Sequence, residues 1–394
     1  MNNKMTQPTE YDLYHIKVTS HTGEVVDLKT LFQELNVYTS LFADSMTASL
    51  LLTDANNLPA NLPLIGGESV ELKYKTAGRQ NYKVVNLKVA AVDERHPVRG
   101  EALAYWVHLV TPEKYADAGT CVSQSFSGSY TDIVKLIPGM LGSSRAVRAN
   151  ASSGVANFIS PMWSPLKIGK FAASRASDSE SSPFYFWEDC DGFNFKSLGW
   201  MYKQQPSREY FYEPNDQRDD HGEIDMTKKF LNIERMEFGR FDRLALEEAG
   251  AFASTIQMFD IRTKTLTPVN SFPAFPTIED ARVPDVGAGS RSKVGFTFTK
   301  PDSSHVTTFQ RHSSRQFLNA IHIMAVIPGD DELRAGEMVT FRVPSHEPQG
   351  GETLKEDQSV AGDWLVVAIK ETMSKQQYKL SVQFAKDSYS KSPI

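Results

Sequence analysis

The chain has 394 residues and a net charge of −6 at neutral pH, with 40% hydrophobic and 23% charged residues. This length allows two to four domains with proper cores, and the ordinary composition argues against extensive disorder. The negative charge argues against nucleic-acid binding as the main activity, because neutralising phosphate groups requires concentrated Lys and Arg.

The sequence has the features of a soluble protein that is made in the cytosol. Its two cysteines, Cys121 and Cys190, fit neither a disulfide framework nor a metal motif. Residues 1–11 are polar and lack the apolar core of a signal peptide. No apolar run approaches the roughly 20 residues that a membrane-spanning helix needs.

Residues 1–112 are predicted to form an antiparallel β-barrel or sandwich. The predicted strands cover residues 11–19, 35–39 and 47–53, the segment that follows Gly67, and a hairpin that ends at Thr111. Turn residues separate these strands at the spacing that is typical of small antiparallel barrels.

Residues 113–229 are predicted to form an α+β insertion domain. Apolar residues share one helical face over residues 130–141, although Pro138 should end or kink that helix early. Ser164-Pro165 is a capping hydroxyl followed by proline, which indicates a helix start. Two aromatic segments within residues 184–196 flank an Asp-Gly turn and predict a β-hairpin.

The remaining sequence predicts a second barrel that is split in two. A helix is expected over residues 235–249, and a long alternating strand over residues 251–266. Residues 267–308 are rich in Pro, Gly and Ser, and are expected to be a loop-rich insertion. The second barrel would therefore combine residues 230–266 with residues 309–394.

The strand pattern near the end of the chain occurs once already near its start. The first copy begins at Gly67-Glu68 and the second at Gly336-Glu337. The matching segments are residues 67–73, 89–94 and 105–109 in the first copy, and residues 336–342, 364–371 and 378–382 in the second. Duplication would place Gly67 over Gly336. Strand patterns are degenerate, so chance similarity is equally compatible with the sequence.

No catalytic, cofactor-binding or metal-binding residue is predicted. Glu188, Asp189 and Asp191 could form a metal site or a carboxylate pair for glycoside cleavage. We favour a turn instead, because aspartate in a hairpin turn accepts hydrogen bonds from nearby backbone N–H groups. A Ser-His-Asp site cannot be recognised from sequence, because its members meet only in space.

Other polar and aromatic motifs have ordinary structural explanations. His305, His312 and His322 lack the spacing of helical zinc ligands, and His322 is expected on a strand face. The motif at 287–291 lacks the strand, helix and lysine of a phosphate loop, and the basic cluster at 311–315 is expected to be a solvated loop. Tyr210-Phe211-Tyr212 fits either a core or an interface.

Three stretches in this order resemble one known family. The first contains Ser164-Pro165-Leu166-Lys167-Ile168, Phe184-Tyr185-Phe186-Trp187-Glu188-Asp189 and Asp191-Gly192-Phe193-Asn194-Phe195. The second contains Gly250-Ala251-Phe252-Ala253-Ser254 and Phe259-Asp260-Ile261. The third contains Leu333-Arg334-Ala335-Gly336-Glu337, Gly362-Asp363-Trp364-Leu365-Val366-Val367 and residues 378–387. Together they resemble the baseplate hub protein of contractile-tailed bacteriophages, which is related to the N-terminal part of type VI secretion spike proteins.

The resemblance implies a mainly β fold with two similar tube-type barrels and a mixed α/β domain. It implies a structural homotrimer, without cofactor or catalytic activity, whose six barrels continue the six-fold tail tube and whose remaining domains hold a three-fold central spike. The expected partners are the tail tube protein, the spike protein, the tape-measure protein and baseplate wedge proteins. DNA would pass through the lumen without specific binding, and an acidic protein suits this passage.

The resemblance also implies a location in the tail baseplate of a virion, after synthesis in the cytoplasm of the host bacterium. The sequence shows no β-helix and no lysozyme-like segment after the last strand, so we expect the spike to be a separate chain. Two alternatives remain open. One is a cell-wall hydrolase at the tail tip, and the other is a hub or adaptor of a secretion system or another contractile injection system.

Overall fold

The computed structural model describes residues 8–55, 58, 64–76, 79–93, 96–98, 102–179, 182–212, 230–239, 242, 244–245, 254–271, 293–297, 315–316, 318, 321–345, 356–357 and 360–386. This part of the chain is mainly β, with a large curled sheet of fourteen strands and an α+β insertion. The predicted fold class is therefore confirmed.

The first half of the large sheet is built from the N-terminal strands. They are β1 (Tyr11–Thr19), β2 (Val25–Asp27), β3 (Phe32–Ser40), β4 (Thr47–Asp54), β5 (Ser69–Thr76), β6 (Lys83–Val92), β7 (His96–Pro97) and β8 (Leu103–Val110). Their order is β3-β4-β8-β6-β5-β1-β2, and every pair is antiparallel. Side chains alternate as a half-buried strand requires; in β5, Val70, Leu72 and Tyr74 are buried.

The insertion packs five short helices around two small sheets. Its elements are α1 (Pro112–Gly119), β9 (Ser125–Gly128), α2 (Tyr130–Lys135), α3 (Ile137–Met140), β10 (Ala146–Ala149), β11 (Ala156–Ile159), α4 (Pro165–Arg175), β12 (Phe184–Asp189), β13 (Gly192–Ser197) and α5 (Leu198–Tyr202). The hairpin β12–β13 and the start of α4 after Ser164 are confirmed. The helix predicted over 130–141 is divided at Leu136, two residues before Pro138.

The remaining strands form the second half of the large sheet and a separate small sheet. They are β14 (Arg208–Phe211), β15 (Arg235–Phe238), β16 (Ser254–Asp260), β17 (Thr265–Ser271), β18 (Lys293–Thr297), β19 (Ile321–Pro328), β20 (Met338–Arg342), β21 (Gly362–Ser374) and β22 (Tyr378–Lys386). The second half follows the order β14-β20-β21-β22-β19-β15. Strands β17, β16 and β18 form the small sheet.

Two predictions in this region are wrong in part; residues 240–241, 243, 246–249 and 251–253, which they also cover, lie outside the described residues. Residues Arg235–Phe238 form strand β15 rather than the start of a helix, because they pair with β19 along their whole length. The strand predicted over 251–266 ends at Asp260, whose side chain accepts hydrogen bonds from the backbone N–H groups of Arg262 (2.8 Å) and Thr263 (3.4 Å). This carboxylate stabilises a turn between β16 and β17.

The two Gly-Glu turns make the same backbone hydrogen bonds. Gly67 N–H donates to the Val89 carbonyl (2.7 Å), and Val89 N–H donates to the Glu68 carbonyl (2.9 Å). In the second copy, Gly336 N–H donates to Val366 (2.8 Å), and Val366 N–H donates to Glu337 (2.9 Å). Both glycines have a left-handed backbone, with φ of +91° and +87°.

Each valine is followed by a β-bulge at the same place. The pairing of β6 with β8 shifts between Val89 and Ala91, and that of β21 with β22 shifts between Val366 and Ala368. A bulge adds one unpaired residue to a strand, so its position is a specific feature of a sheet. Chance similarity between two strand patterns does not predict a shared bulge.

The match continues from the bulged strand across its neighbours on the side opposite the Gly-Glu turn, and it covers four strands in all. In antiparallel sheets, directly opposite residues lie on the same face, so they form rows across the strands. The first row is Val37, Ala48, Leu109 and Val89, and the second is Phe238, Ile323, Phe384 and Val366. The structure thus aligns Gly67 with Gly336 as predicted.

The predicted alignment of the last segment is wrong by two residues. The sequence pattern placed residues 105–109 over residues 378–382, whereas the register places Leu109 over Phe384. One further difference separates the halves, because β1 runs antiparallel to β5 while β14 runs parallel to β20. The repeat therefore covers five strands in matching orientation, and a sixth in the same position.

We predict that Gly336→Ala destabilises the protein more than Gly23→Ala. Both glycines have nearly the same left-handed φ, +87° and +86°, so both substitutions should cost about 1–2 kcal/mol of backbone strain. A Cβ at position 336 would also lie 2.9 Å from the buried Trp187 ring, whereas one at position 23 meets nothing within 4 Å. Overpacking should add about 1–3 kcal/mol at position 336. Equal midpoints in urea unfolding would contradict this account.

Candidate functional site

Strand β21 joins the two halves of the large sheet. Before its bulge it pairs with β20, in its own half; after the bulge, from Ala368 to Ser374, it pairs with β3 of the first half. The hydroxyl of Thr372 donates to the side-chain oxygen of Asn36 across this junction (2.9 Å). The halves therefore share one continuous ladder of backbone hydrogen bonds.

A buried polar cluster lies at this junction. The hydroxyls of Tyr74 and Tyr378 each donate to Oε2 of Glu371 at 2.7 Å. The Lys83 ammonium lies 3.4 Å from Oε1 of the same carboxylate. Tyr74 and Lys83 belong to the first half of the sheet, and Glu371 and Tyr378 belong to the second. The carboxylate therefore binds both halves at once.

The cluster is electrostatically matched. Burial alone would raise the pKa of Glu371, but the charge of Lys83 and the two tyrosine hydroxyls outweigh it, and the pKa lies below its ordinary value. Burial would lower the pKa of Lys83, but the charge of Glu371 raises it above its ordinary value. Burial raises the pKa of Tyr74 and Tyr378. At neutral pH the pair is therefore ionised, and both phenols remain donors.

A polar cavity of about 470 Å³ opens beside this cluster. Its cations are already paired: Arg79 with Glu332, Lys83 with Glu371, and Arg334 with Asp191 (2.9 Å). Because each of these three cations already has a carboxylate partner, we assign the cavity to the junction rather than to a ligand.

A second buried cluster fixes the insertion to the first half of the sheet. Glu188, at the end of β12, accepts hydrogen bonds from the Thr111 hydroxyl (2.8 Å) and the Met46 N–H (3.3 Å). Arg145 binds Glu188 and also Glu113, whose Oε2 lies 3.1 Å away. Burial raises the pKa of Glu188 to about 7 against the charge of Arg145.

The turn after β12 contains the metal-like group that the sequence suggested. Ligand atoms of Asp189, Cys190 and Asp191 lie within 4.8 Å of one another. However, both oxygens of Asp189 bind Arg148, and Asn194 donates to Oδ2 at 2.8 Å. Burial raises the pKa of the Cys190 thiol to about 11, so it stays protonated. These surroundings do not suit a cation.

The structure separates the two roles of the predicted turn acids. Asp189 accepts hydrogen bonds from the backbone N–H groups of Asp191 (2.9 Å) and Gly192 (3.1 Å), as the turn interpretation predicts. The prediction is wrong for Glu188, which lies in β12 and binds Arg145 and Thr111.

The other sequence candidates do not converge. His322 lies on β19, as predicted, and Tyr210 is buried against the rings of Phe341 and Phe384, so it belongs to the core. The remaining candidates lie outside the described residues: His305, His312, residues 287–291 and residues 311–314. The sequence patterns did not identify Glu371 and Lys83 as members of a buried polar cluster. The sequence signal that could have identified Glu371 was its charge at an inward-facing position of a strand, between the apolar residues Ile369 and Met373.

None of the helices in the described part of the chain combines the length and the apolar character needed to cross a membrane.

The fold is that of phage tail proteins. Over 96% of its length the chain is similar to the tail protein from Neisseria meningitidis, with 11% identity, a TM-score of 0.58 and 97% of that chain covered. It is similar to the 43 kDa tail protein of prophage MuSo2 from Shewanella oneidensis, with 9% identity, a TM-score of 0.60, and 96% and 99% of the two chains covered. No family model matches the sequence, and no curated protein matches it.

A third similar structure is a component of the type VI secretion system of E. coli, described as similar to the T4 bacteriophage tail proteins gp27 and gp5. Identity is 8%, the TM-score is 0.50, and 98% of this chain and 79% of that chain are covered. The baseplate hub-like fold that the sequence resemblance predicted is confirmed. Identities this low establish the fold alone.

We predict that Glu371→Gln lowers the free energy of unfolding by about 3 kcal/mol at pH 7, because it leaves Lys83 buried without a counter-charge. Adding Lys83→Met should recover part of this loss. The pKa of Glu371 in the folded protein lies below its ordinary value of 4.5. The contribution of the ionised carboxylate is therefore present above pH 4.5 and is lost as the pH falls below it.

The measurement is urea unfolding of the single and double variants at pH 7, and of Glu371→Gln below pH 4.5. The Glu371→Gln effect should shrink at the lower pH. An effect of equal size at both pH values, or a double variant no more stable than Glu371→Gln, would contradict the electrostatic account.

Proposed function

We propose that this protein is a structural baseplate hub of a contractile phage tail, which acts as a homotrimer that joins the six-fold tail tube to a three-fold central spike. The observation that carries the proposal is the repeated half-sheet, which shares its Gly-Glu turn, bulge and row register. The tail-protein fold supports the same conclusion.

The copy numbers within one chain fit this adapter role. The half-sheet is present twice, whereas the insertion that β12 and β13 help to build is present once. Three chains would supply six similar half-sheets and three insertions. The half-sheets would form a pseudo-six-fold ring that continues the tube, and the insertions would contact the spike with three-fold symmetry.

The proposed domains follow the sequence division with one change. We assign residues 1–112 to the first barrel, residues 113–229 to the insertion, and residues 309–394 with the segment from 230 onward to the second barrel. Because β16 pairs with β17 and β18 rather than with the large sheet, we move residues 254–266 to the loop-rich insertion over 267–308.

We further propose that the ring encloses the channel for DNA and tape-measure protein in a virion. The tail tube, the spike and the baseplate wedge proteins would be its neighbours. The net charge of −6 supports a passage that does not retain DNA, because like charges repel.

We propose that the chain itself has no catalytic activity. The acids that could have formed a hydrolytic pair have other partners: Glu188 binds Arg145 and Thr111, and Asp189 binds Arg148. Glycosidase chemistry needs two carboxyl groups that flank a substrate cleft. No observation in the described part of the chain favours the hydrolase alternative.

The proposal predicts a trimer in solution, alone or with the spike protein. Sedimentation velocity across a concentration series, with and without the spike protein, measures this directly. A protein that stays monomeric under both conditions would contradict the trimeric hub.

The non-catalytic part of the proposal predicts that the purified chain does not clear a peptidoglycan suspension. A lysozyme sample serves as the positive control. Clearing that survives both Glu188→Gln and Asp189→Asn would locate a catalytic site elsewhere, and any robust clearing would overturn this part of the proposal.

A further inference from the structure

Among the described residues, the junction inside each chain has an unpaired counterpart at each end of the repeat. After its bulge, β21 pairs with β22 on one side and with β3 on the other. The equivalent part of β6, residues 91–92, pairs among the described residues with β8 alone. The equivalent of β3 is β15, and among the described residues β15 pairs along its length with β19 alone. One chain therefore contains an edge equivalent to β3 and an edge equivalent to β21 after its bulge, and in the described residues these two edges do not pair with each other.

The exposure of the residues in the two matching rows indicates which edge strand has a side chain left uncovered. Seven of the eight side chains in the two matching rows are 3% exposed or less. Phe238 is the exception, with 61% of its surface exposed. Its equivalent Val37 is 2% exposed, because β21 lies alongside β3. A large aromatic on the core-facing row of an edge strand is the position that a further strand would cover.

The opposite edge is equally open. Ala91 and Asp93 are exposed, whereas their equivalents Ala368 and Lys370 pair with β3. Strand β7 continues this edge by pairing with β8, and His96 and Pro97 are exposed. Val92 is only partly buried, while its equivalent Ile369 is 5% exposed.

We propose that β15 of one protomer pairs antiparallel with the edge formed by residues 91–93 and β7 of a second copy of this chain. The occupant is inferred from the chain itself, since β3 and β21 already show this contact between equivalent strands. Backbone hydrogen bonds would supply the affinity, as in other cases of strand addition. This inference rests on the proposed trimer and deepens it by naming the interface.

The internal register assigns the cross-strand neighbours. His96 pairs with Ala104, and the equivalent of Ala104 in the second half of the sheet is Lys379. Lys379 pairs with Thr372, so His96 occupies the position of Thr372. Thr372 faces Asn36 at the junction, and the equivalent of Asn36 is Glu237. His96 therefore faces Glu237 across the interface, and both side chains are exposed in the protomer. The same register places Asp93 opposite Gly239.

The contact is head-to-tail, because each chain uses two different edges. Such a contact closes into a ring when the rotation between neighbours divides a circle evenly. If the junction inside the chain and the contact between chains each turn the sheet by one sixth of a circle, three chains close the ring. Closure would leave neither edge exposed, which also removes a route to aggregation.

A cysteine pair tests the register. In the double variant His96→Cys with Glu237→Cys, opposite residues would lie about 4.5–5.5 Å apart at Cα, within disulfide range. Mild oxidation should give covalent dimers and trimers on non-reducing gels. The pair His96→Cys with Arg235→Cys lies two residues out of register and should crosslink weakly, and the wild type, which keeps Cys121 and Cys190, should not crosslink.

Phe238→Glu tests the interface by an independent route. We expect it to abolish the trimer without changing the thermal midpoint of the monomer, since Phe238 is exposed in the protomer. The matched control is Ile159→Glu, on the insertion, where the side chain is 72% exposed; it should remain trimeric.

The outcomes separate the two proposals. A trimeric wild type with a trimeric Phe238→Glu variant and no crosslink between positions 96 and 237 would overturn this interface and leave the trimer standing. A wild type that is monomeric with and without the spike protein would overturn both.

Discussion

The architecture depends on one strand, β21, that pairs with both halves of the large sheet. A strand has two edges, and β21 exchanges its partner along one of them at the bulge between Val366 and Ala368. A bulge bends a strand and increases its twist, and this one lies between the segment of β21 that pairs with β20 and the segment that pairs with β3. The continuity of the large sheet follows from this exchange.

The buried carboxylate at position 371 makes the exchange specific. A buried ion pair is weak evidence for stability, because desolvation offsets most of the Coulomb attraction. Its cost rises steeply when one partner is displaced, so the pair penalises misplacement of the two halves. Tyr74 and Lys83 meet Glu371 only if β5, β6 and β21 are all in place. The cluster therefore selects one register for the junction, and the backbone ladder supplies most of the contact.

The sequence correctly predicted those helix limits and turns that are set by residues close together in the chain. Pro138 divides its helix, Ser164-Pro165 begins another, and the aromatic hairpin turns at Cys190-Asp191, directly before Gly192. The signals failed where long-range pairing decides: Met236 and Phe238 suit a helix or a strand, and only β19 selects the strand. The repeat was visible, but its last segment was misaligned by two residues, because bulges and loop lengths are not written in a strand pattern. Glu371 and Lys83 lie far apart in sequence, so no motif could join them.

We propose that six equivalent half-sheets form one closed ring of three chains. Electron cryomicroscopy of the purified assembly measures this directly. We expect a three-fold particle in which the half-sheets repeat at equal angles and β15 continues the sheet of the neighbouring chain. An assembly in which β15 remains a free edge, or in which the chains form an open filament, would contradict it.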